Sequence, residues 1–243
     1  MPTIQTNCLQ SSLCLCLALS SLAIPATAQH SPADSSQPIA TARATIYYQA
    51  YVGQDAALYN GIAYQQNYRG VEGDPYFESA NLKSGSVTYE EITYTHIPLL
   101  YDLVHDQLAI SDKTGQLLIP APGKIRRFSF DDHSFVRLTI GNTSGFYELL
   151  RSGYATLLAR RTKTITEKIE SRDLRRIIDA RNYYFLCKQG RYYPVESAKH
   201  LLTLLTDKNN EIHTFLRNHH IRLKKDQEKG MEAIIDYYNQ LPH

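Results

Sequence analysis

The chain lacks tryptophan entirely and has only four cysteines among its 243 residues. Three of them, Cys8, Cys14 and Cys16, lie close to the N-terminus, so Cys187 stands alone in the rest of the chain. A lone cysteine cannot form an intramolecular disulfide or a C-x-x-C metal or redox motif. We predict that Cys187 is a small core residue rather than a nucleophile, because free cysteine is commonly buried.

Long hydrophobic runs are also scarce. The apolar segment Leu13 to Ile24 is too short to span a bilayer comfortably, and Ala26-Thr27-Ala28 after it fits a signal-peptidase cleavage pattern. We therefore predict a secretory signal peptide over residues 1–28, then a flexible leader over 29–44 that is rich in Ser, Pro, Ala and Gln. The departure is an n-region without Lys or Arg, and the alternative is a buried helix. Export predicts a periplasmic or outer-membrane-associated protein, with no transmembrane segment after cleavage.

Familiar catalytic motifs are missing as well. The sequence has no P-loop, no G-x-G-x-x-G and no H-E-x-x-H. In Gly141 to Gly145 the serine comes one position too late for a nucleophile elbow. These absences predict no cofactor and no metal, and they favour a protein that is not an enzyme.

Charge of one sign does not dominate either half of the chain strongly enough to predict a partner. Residues 151–243 hold 18 Lys and Arg against 11 Asp and Glu, and residues 1–150 hold 8 against 13. Acidic residues such as Glu167, Asp173 and Glu228 are interspersed among the basic ones. The pattern favours a solvated helical face over a one-signed patch, so we expect no nucleic-acid partner.

Strand-forming residues are abundant, and the stretch from Ser86 to Ser111 shows them most clearly. Apolar residues alternate with Ser and Thr up to a predicted hairpin tip at Glu90, and they resume at Ile92. At Ile97, next to Pro98, the apolar positions change parity. A strand changes face only through a bulge, unless both faces are buried there. We expect Ile92 and Ile97 both to be buried, with one of these two causes near Pro98.

Similar alternation continues to Val195 through short turns, which favours an antiparallel meander over βαβ units. The exception is residues 167–180, where Leu174, Ile177 and Ile178 suggest a short helix. From Ser197 onward the apolar period is helical, in three segments. We predict an α+β fold. Residues 45–196 form an antiparallel β-sheet meander, with a half-barrel as its curved form, and a helical C-terminal region over residues 197–243 packs on this sheet.

The densest titratable cluster is Asp102, His105 and Asp106. If this turn is helical, the two carboxylates share a face with the imidazole nearby, an arrangement that suits acid–base chemistry or a metal. The alternative is an ordinary polar turn, and no nucleophile or cleft completes a site. Neighbouring tyrosines could form a binding surface, although adjacent residues of a strand point to opposite faces. The pairs are Tyr47-Tyr48, Tyr183-Tyr184, Tyr192-Tyr193 and Tyr237-Tyr238.

Several short motifs together resemble a group of exported, uncharacterised proteins from bacteria with a two-membrane envelope. The motifs are Leu58-Tyr59-Asn60-Gly61, Asp74-Pro75-Tyr76-Phe77, Gly85-Ser86-Val87-Thr88-Tyr89 with Leu100-Tyr101-Asp102, Gly145-Phe146-Tyr147-Glu148 and Tyr237-Tyr238. The resemblance implies a periplasmic or outer-membrane-associated setting and carries no known activity. We predict a non-enzymatic binding or structural accessory protein whose partner is an envelope protein or surface polymer. The alternative is an exported hydrolase with a dispersed active site, and the oligomeric state is left open.

Overall fold

The computed structural model describes residues 57–170, 173–223 and 226–243. The predicted signal peptide, the leader and residues 45–56 of the predicted sheet region lie outside these ranges. Among the described residues, no helix combines the length and the apolar character needed to cross a membrane.

Within these ranges the strands form one sheet in which every pairing but one is antiparallel. The strand order is β1-β6-β5-β4-β3-β7-β8-β9-β10-β11-β12, and β2 pairs in parallel with β11 at the side of this path. The strands are β1 Ile62–Ala63, β2 Val71–Glu72, β3 Lys83–Tyr89, β4 Ile92–Asp102, β5 Gln107–Ser111, β6 Leu117–Ile119, β7 Ile125–Phe130, β8 His133–Ile140, β9 Thr143–Arg151, β10 Ala155–Glu170, β11 Asp173–Lys188 and β12 Arg191–Val195.

C-terminal helices complete an α+β fold, which confirms the predicted class. They are α1 Ala198–Leu204, α2 Asn209–Asn218 and α3 Gln227–Gln240. The hydroxyl of Ser197 accepts a hydrogen bond from the His200 backbone N–H at the start of α1, and the Asp226 carboxylate does the same from Lys229 at α3. Caps of this kind satisfy backbone donors that a helix start leaves unpaired.

Aromatic side chains fill the first core, on one face of the sheet. Phe128 of β7 and Phe135 of β8 stack with ring centroids 4.7 Å apart, and Tyr101 of β4 lies 5.1 Å from each of them. Phe146 of β9 packs edge-on against Phe128 at 4.9 Å. We call these four residues the aromatic core. All are nearly or fully buried, so each contributes on the order of 3 kcal/mol through removal from water.

A second core lies between the sheet and the helices. Leu157 of β10 and Leu186 of β11 are opposite each other in the ladder and fully buried. Leu201 of α1 and Ile234 of α3 belong to the same apolar cluster. The helical periodicity of the C-terminal sequence therefore corresponds to helices whose apolar faces pack on strands.

A β-bulge at His96 accounts for the parity change in β4. Gly85 is opposite Ile97 while Ser86 is opposite Thr95, so His96 has no cross-strand partner, and its φ is 57°. Ile97 is 7% exposed, as expected. Ile92 is only half-buried, because it stands beside the hairpin tip. Of the two predicted causes the bulge is the one observed, and the predicted burial of Ile92 is wrong.

The short helix expected over residues 167–180 is also wrong. The described residues of this segment belong to β10 and β11, which pair from Ala155 and Lys188 out to Glu170 and Asp173. Alternating threonine and isoleucine favour a strand here, and Glu167 finds Arg176 directly opposite. The supposed helix anchor Leu174 is 61% exposed, so it does not serve as a core residue.

Substitution of His96 tests the bulge. A non-glycine residue in this left-handed conformation costs about 1 kcal/mol, so His96→Gly should raise the free energy of unfolding by up to about 1 kcal/mol. His96→Val should lower it by about 1–2 kcal/mol, because a β-branched residue tolerates positive φ poorly. Urea unfolding followed by far-UV circular dichroism measures both. In contrast, Thr95→Gly, one residue away in regular strand, should be destabilising; a gain there equal to that at His96 would contradict the assignment.

Candidate functional site

Asp102, the first of the predicted site residues, is fully buried at the end of β4. Its Oδ2 atom accepts hydrogen bonds from the Tyr64 hydroxyl at 2.8 Å and the Tyr68 hydroxyl at 2.5 Å. The same oxygen lies 3.0 Å from Nδ1 of His105, while Oδ1 accepts from the Val104 backbone N–H at 2.9 Å. Both carboxylate oxygens are therefore occupied by partners from this chain.

The hydrogen bonds keep Asp102 ionised. Burial alone would raise its pKa, but the bonds from Tyr68, His105 and Tyr64 outweigh burial and hold the pKa below its usual range. Burial and the adjacent carboxylate raise the pKa of Tyr68, and burial with the hydrogen bonds that Tyr64 donates to Tyr76 and Asp102 raises that of Tyr64. An ionised acceptor thus faces neutral tyrosine donors.

This arrangement fixes the loop before β3 against the sheet. The Leu103 backbone N–H donates to the Pro75 carbonyl at 3.0 Å. From β10, Nζ of Lys163 donates to the carbonyl oxygens of Asp74 at 2.7 Å and Tyr76 at 2.5 Å. Asp102 and Lys163 therefore hold the loop from two sides, which is a structural role for the strongest sequence candidate.

Asp106 has partners of its own, and the helical turn that would put it on one face with Asp102 is not formed. Oδ1 of Asp106 accepts from the Tyr101 hydroxyl at 2.6 Å, and the Arg160 guanidinium lies 3.9 Å from its Oδ2. The reason is that residues 103–106 form a non-helical turn, with Asp106 at φ 53°. The described residues contain no group of three or more His, Cys, Asp and Glu side chains arranged to hold a metal ion.

A second buried network, which the sequence analysis missed, joins the sheet to α3. The guanidinium of Arg161 on β10 donates to Glu148 of β9 at 2.6 Å and, through two nitrogens, to Glu228 of α3 at 2.6 and 2.9 Å. The Tyr184 hydroxyl also donates to Glu228, at 2.7 Å. Glu148 stands two residues after Phe146 of the aromatic core, so the two side chains point to the same face of the strand. A carboxylate at a core-facing position was the sign of this network in the sequence.

Charge complementarity sets the ionisation of this network. Burial alone would lower the pKa of Arg161, but the hydrogen bonds to Glu228 and Glu148 raise it. Burial alone would raise the pKa of Glu228, but Arg161 and Tyr184 lower it. Burial and the Glu228 carboxylate raise the pKa of Tyr184 to about 12. The guanidinium and the Glu228 carboxylate thus stay charged at neutral pH.

His133 extends the network toward the surface. Its Nδ1 lies 2.5 Å from Oε1 of Glu148, and its Nε2 lies 3.2 Å from Oε1 of Glu78. A histidine beside a buried carboxylate is a common acid–base arrangement. Here both ring nitrogens face carboxylates, so the imidazole bridges two acids rather than presenting a vacant nitrogen to a substrate.

An open groove lies on the face of the sheet opposite the aromatic core, with a volume of about 860 Å³. Val136 and Leu138 of β8, Leu149 of β9 and Leu158 of β10 are among its lining residues. Their position follows from alternation, since Val136 neighbours the core residue Phe135 and points the other way. Leu158 is 2% exposed, and the other three are half-buried. We call these four residues the aliphatic floor.

The two sides of the groove differ in charge. One side carries Lys124, Arg126 and Arg127, which we call the basic wall, and Tyr192 and Cys187 line the groove from β12 and β11. Tyr192 is 38% exposed, and Cys187 is half-buried rather than a core residue as predicted. The groove brings together residues that are far apart in sequence, so no local sequence motif predicted it.

The tyrosine pairs within the described residues divide between the two faces as predicted. Tyr192 lines the groove while Tyr193 packs against the helical core. Tyr183 is 47% exposed, whereas the Tyr184 hydroxyl donates to Glu228. In α3, Tyr238 is fully buried. Within the described ranges no tyrosine pair therefore forms a two-ring binding platform of its own, and the predicted pair Tyr47-Tyr48 lies outside them.

Comparison of the chain with models of protein families, with curated proteins and with solved structures finds no match.

Asp102 gives a pH-dependent contribution to stability. The pKa of Asp102 is lower in the folded protein than in the unfolded chain, where it is near 4. Its contribution to stability is therefore present at pH values above the unfolded pKa and is lost as the pH falls through the folded pKa. Asp102→Asn should cost about 1–3 kcal/mol at pH 7, and it should flatten the fall in stability below about pH 4. Urea unfolding as a function of pH measures this. The exposed Asp132→Asn is the control, and an equal pH profile in the two variants would refute the role.

Arg161 should be far more sensitive than a comparable surface arginine. Arg161→Met leaves the carboxylate of Glu148, which is 3% exposed, without its guanidinium partner, at a cost of about 3–5 kcal/mol. The same change in a Glu148→Met background should cost much less, because the stranded charge is gone. Arg151→Met, which breaks the more exposed pair with Asp236, should cost at most about 1 kcal/mol. Equal losses for Arg151 and Arg161 in urea unfolding would contradict this account.

Proposed function

We propose that this chain is an exported, non-enzymatic binding protein of the cell envelope, and that the groove is its ligand surface. The observation that carries the proposal is the groove itself. Its volume of about 860 Å³ falls in the usual range for ligand sites, and its lining combines an aliphatic floor with a few charged groups. The N-terminal sequence, with its apolar segment and Ala26-Thr27-Ala28, supports export.

The finer form of the fold belongs to the same proposal: a meander curved as a half-barrel. Tyr101 of β4 and Phe146 of β9 support it, because their ring centroids are 5.9 Å apart although β3, β7 and β8 separate these strands in the sheet. Four strand spacings in a flat sheet would amount to about 19 Å. Such curvature fills its inside with the aromatic core and leaves the opposite face for a ligand.

The alternative function, an exported hydrolase, has one observation in its favour. Oδ2 of Asp102 lies 3.0 Å from Nδ1 of His105, whose side chain is 52% exposed. The carboxylate could therefore orient that ring as a base. The Tyr68 hydroxyl, however, lies 2.7 Å from the same nitrogen, and Asp106 faces elsewhere. Ester or glycoside hydrolysis that vanishes in His105→Gln would favour this alternative over the binding protein.

A photo-crosslinking amino acid at Tyr192 tests the proposed function directly. Replacement of Tyr192 by p-benzoylphenylalanine places the reactive ketone at the groove with little change of shape. Irradiation of intact cells should give a discrete adduct, because a bound ligand lies within reach. Tyr154, 46% exposed and stacked on His243, is the matched position outside the groove. No adduct at Tyr192, or equal adducts at both positions, would count against the groove as a ligand site.

A further inference from the structure

We propose that the ligand of the groove is an anionic phospholipid, with its head group at the basic wall and its acyl chain along the aliphatic floor. The lipid identity rests on the proposed function, since it requires the groove to be the binding surface. It adds the chemical class of the ligand and the direction in which it lies.

The aliphatic floor suits a hydrocarbon chain. Leu149 of β9 and Leu158 of β10 are opposite each other in the ladder, and Val136 and Leu138 continue the apolar surface along β8. Three of these four side chains are only half-buried, so hydrocarbon is left in contact with water. Covering it with an acyl chain removes apolar surface from water on both partners, which is the main source of lipid affinity.

The basic wall suits an anionic head group at one side of the floor. Lys124 is paired with Glu90 at 2.8 Å and Arg126 with Glu91 at 2.8 Å, so their charge is partly neutralised. Arg127 is exposed, and within the described ranges no carboxylate forms an ion pair with it. Its neighbours in the ladder are Thr88 and Val136, both of which line the groove. A guanidinium in this position can bind a phosphate through two parallel hydrogen bonds.

Arg137 also belongs to the lining, but its guanidinium is directed away from the basic wall. Its guanidinium lies 5.2 Å from the centre of the Phe146 ring, and Phe146 belongs to the aromatic core on the opposite face. We therefore assign recognition of the head group to Arg127, with Lys124 and Arg126 adding positive potential beside it.

The strand pairing favours a lipid over an extended peptide. A peptide usually adds to a free sheet edge, where backbone groups lack partners. The floor strands β8, β9 and β10 each have a neighbour on both sides in the sheet order. Their backbone groups at the floor are committed to the ladder, whereas an acyl chain needs no hydrogen-bond partner.

Monomeric lysophospholipids test the proposal on the protein purified from the envelope. Oleoyl lysophosphatidylglycerol, held below its micelle concentration, should bind with one-to-one stoichiometry in titration calorimetry. Lysophosphatidylcholine with the same chain should bind about ten-fold more weakly, and glycerol 3-phosphate should show no binding. Arg127→Gln should weaken the anionic lipid about ten-fold and leave the choline lipid unchanged. The exposed Arg222→Gln is the matched control and should change neither.

Cys187 supplies a second readout that does not depend on a variant. Its half-buried thiol lines the groove, so bound lipid should slow its alkylation by N-ethylmaleimide, followed by peptide mass spectrometry. Equal affinity for the two lysolipids, or alkylation that the anionic lipid does not slow, would overturn the lipid assignment. If these fail while the Tyr192 adduct persists and proves to be protein or polymer, the lipid is wrong and the binding function stands.

Discussion

The buried pairing of Arg161 with Glu148 and Glu228 is the constraint on which the rest of the described fold depends. Glu148 is 3% exposed in the sheet, and a buried carboxylate without a cation is strongly destabilising. Arg161 pairs with it through Nε and holds Glu228 of α3 through its other two nitrogens. One side chain thus ties β9 and β10 to α3, beside the second apolar core, which contains Leu157 and Ile234.

This docking decides which face of the sheet remains available. Phe135 and Glu148 are cross-strand neighbours, Glu148 is opposite Ala159, and Ala159 is opposite Tyr184. The aromatic core, the charged network around Arg161 and the second core beneath the helices therefore lie on one continuous face of the sheet. The residues of opposite parity, such as Val136, are left to line the groove. The groove is a consequence of where these structural groups lie on the other face of the sheet.

Local patterns in the sequence predicted much of the fold. Alternation located the strands from Ser86 to Ser111, and the period after Ser197 located the helices. The parity change at Ile97 predicted a bulge or two-sided burial near Pro98, and the structure has the bulge, at His96. Residues 167–180 were mistaken for a helix because charged cross-strand pairs such as Glu167 with Arg176 interrupt the apolar alternation. In this segment each strand is stabilised by pairing with the other, and the sequence of one strand does not show which strand it pairs with.

The candidate site was harder to predict for a related reason. Asp102 does mark a special position, yet its partners Tyr64 and Tyr68 lie 38 and 34 residues away, and they turn a possible active-site acid into a structural anchor. Arg161 and Glu228 are 67 residues apart. The groove brings together strands from β3 to β12, so only the strand order reveals it.

The most direct test of the groove as a lipid site is a methyl NMR titration of the leucine- and valine-labelled protein with lysophosphatidylglycerol. The account predicts that the largest shifts fall on the aliphatic floor, at Val136, Leu138, Leu149 and Leu158. Methyl groups of the helical core, such as those of Leu201, should move little, because α1 packs on the opposite face. Saturating lipid that leaves the floor methyls unshifted, or that shifts the helical core most, would contradict the account.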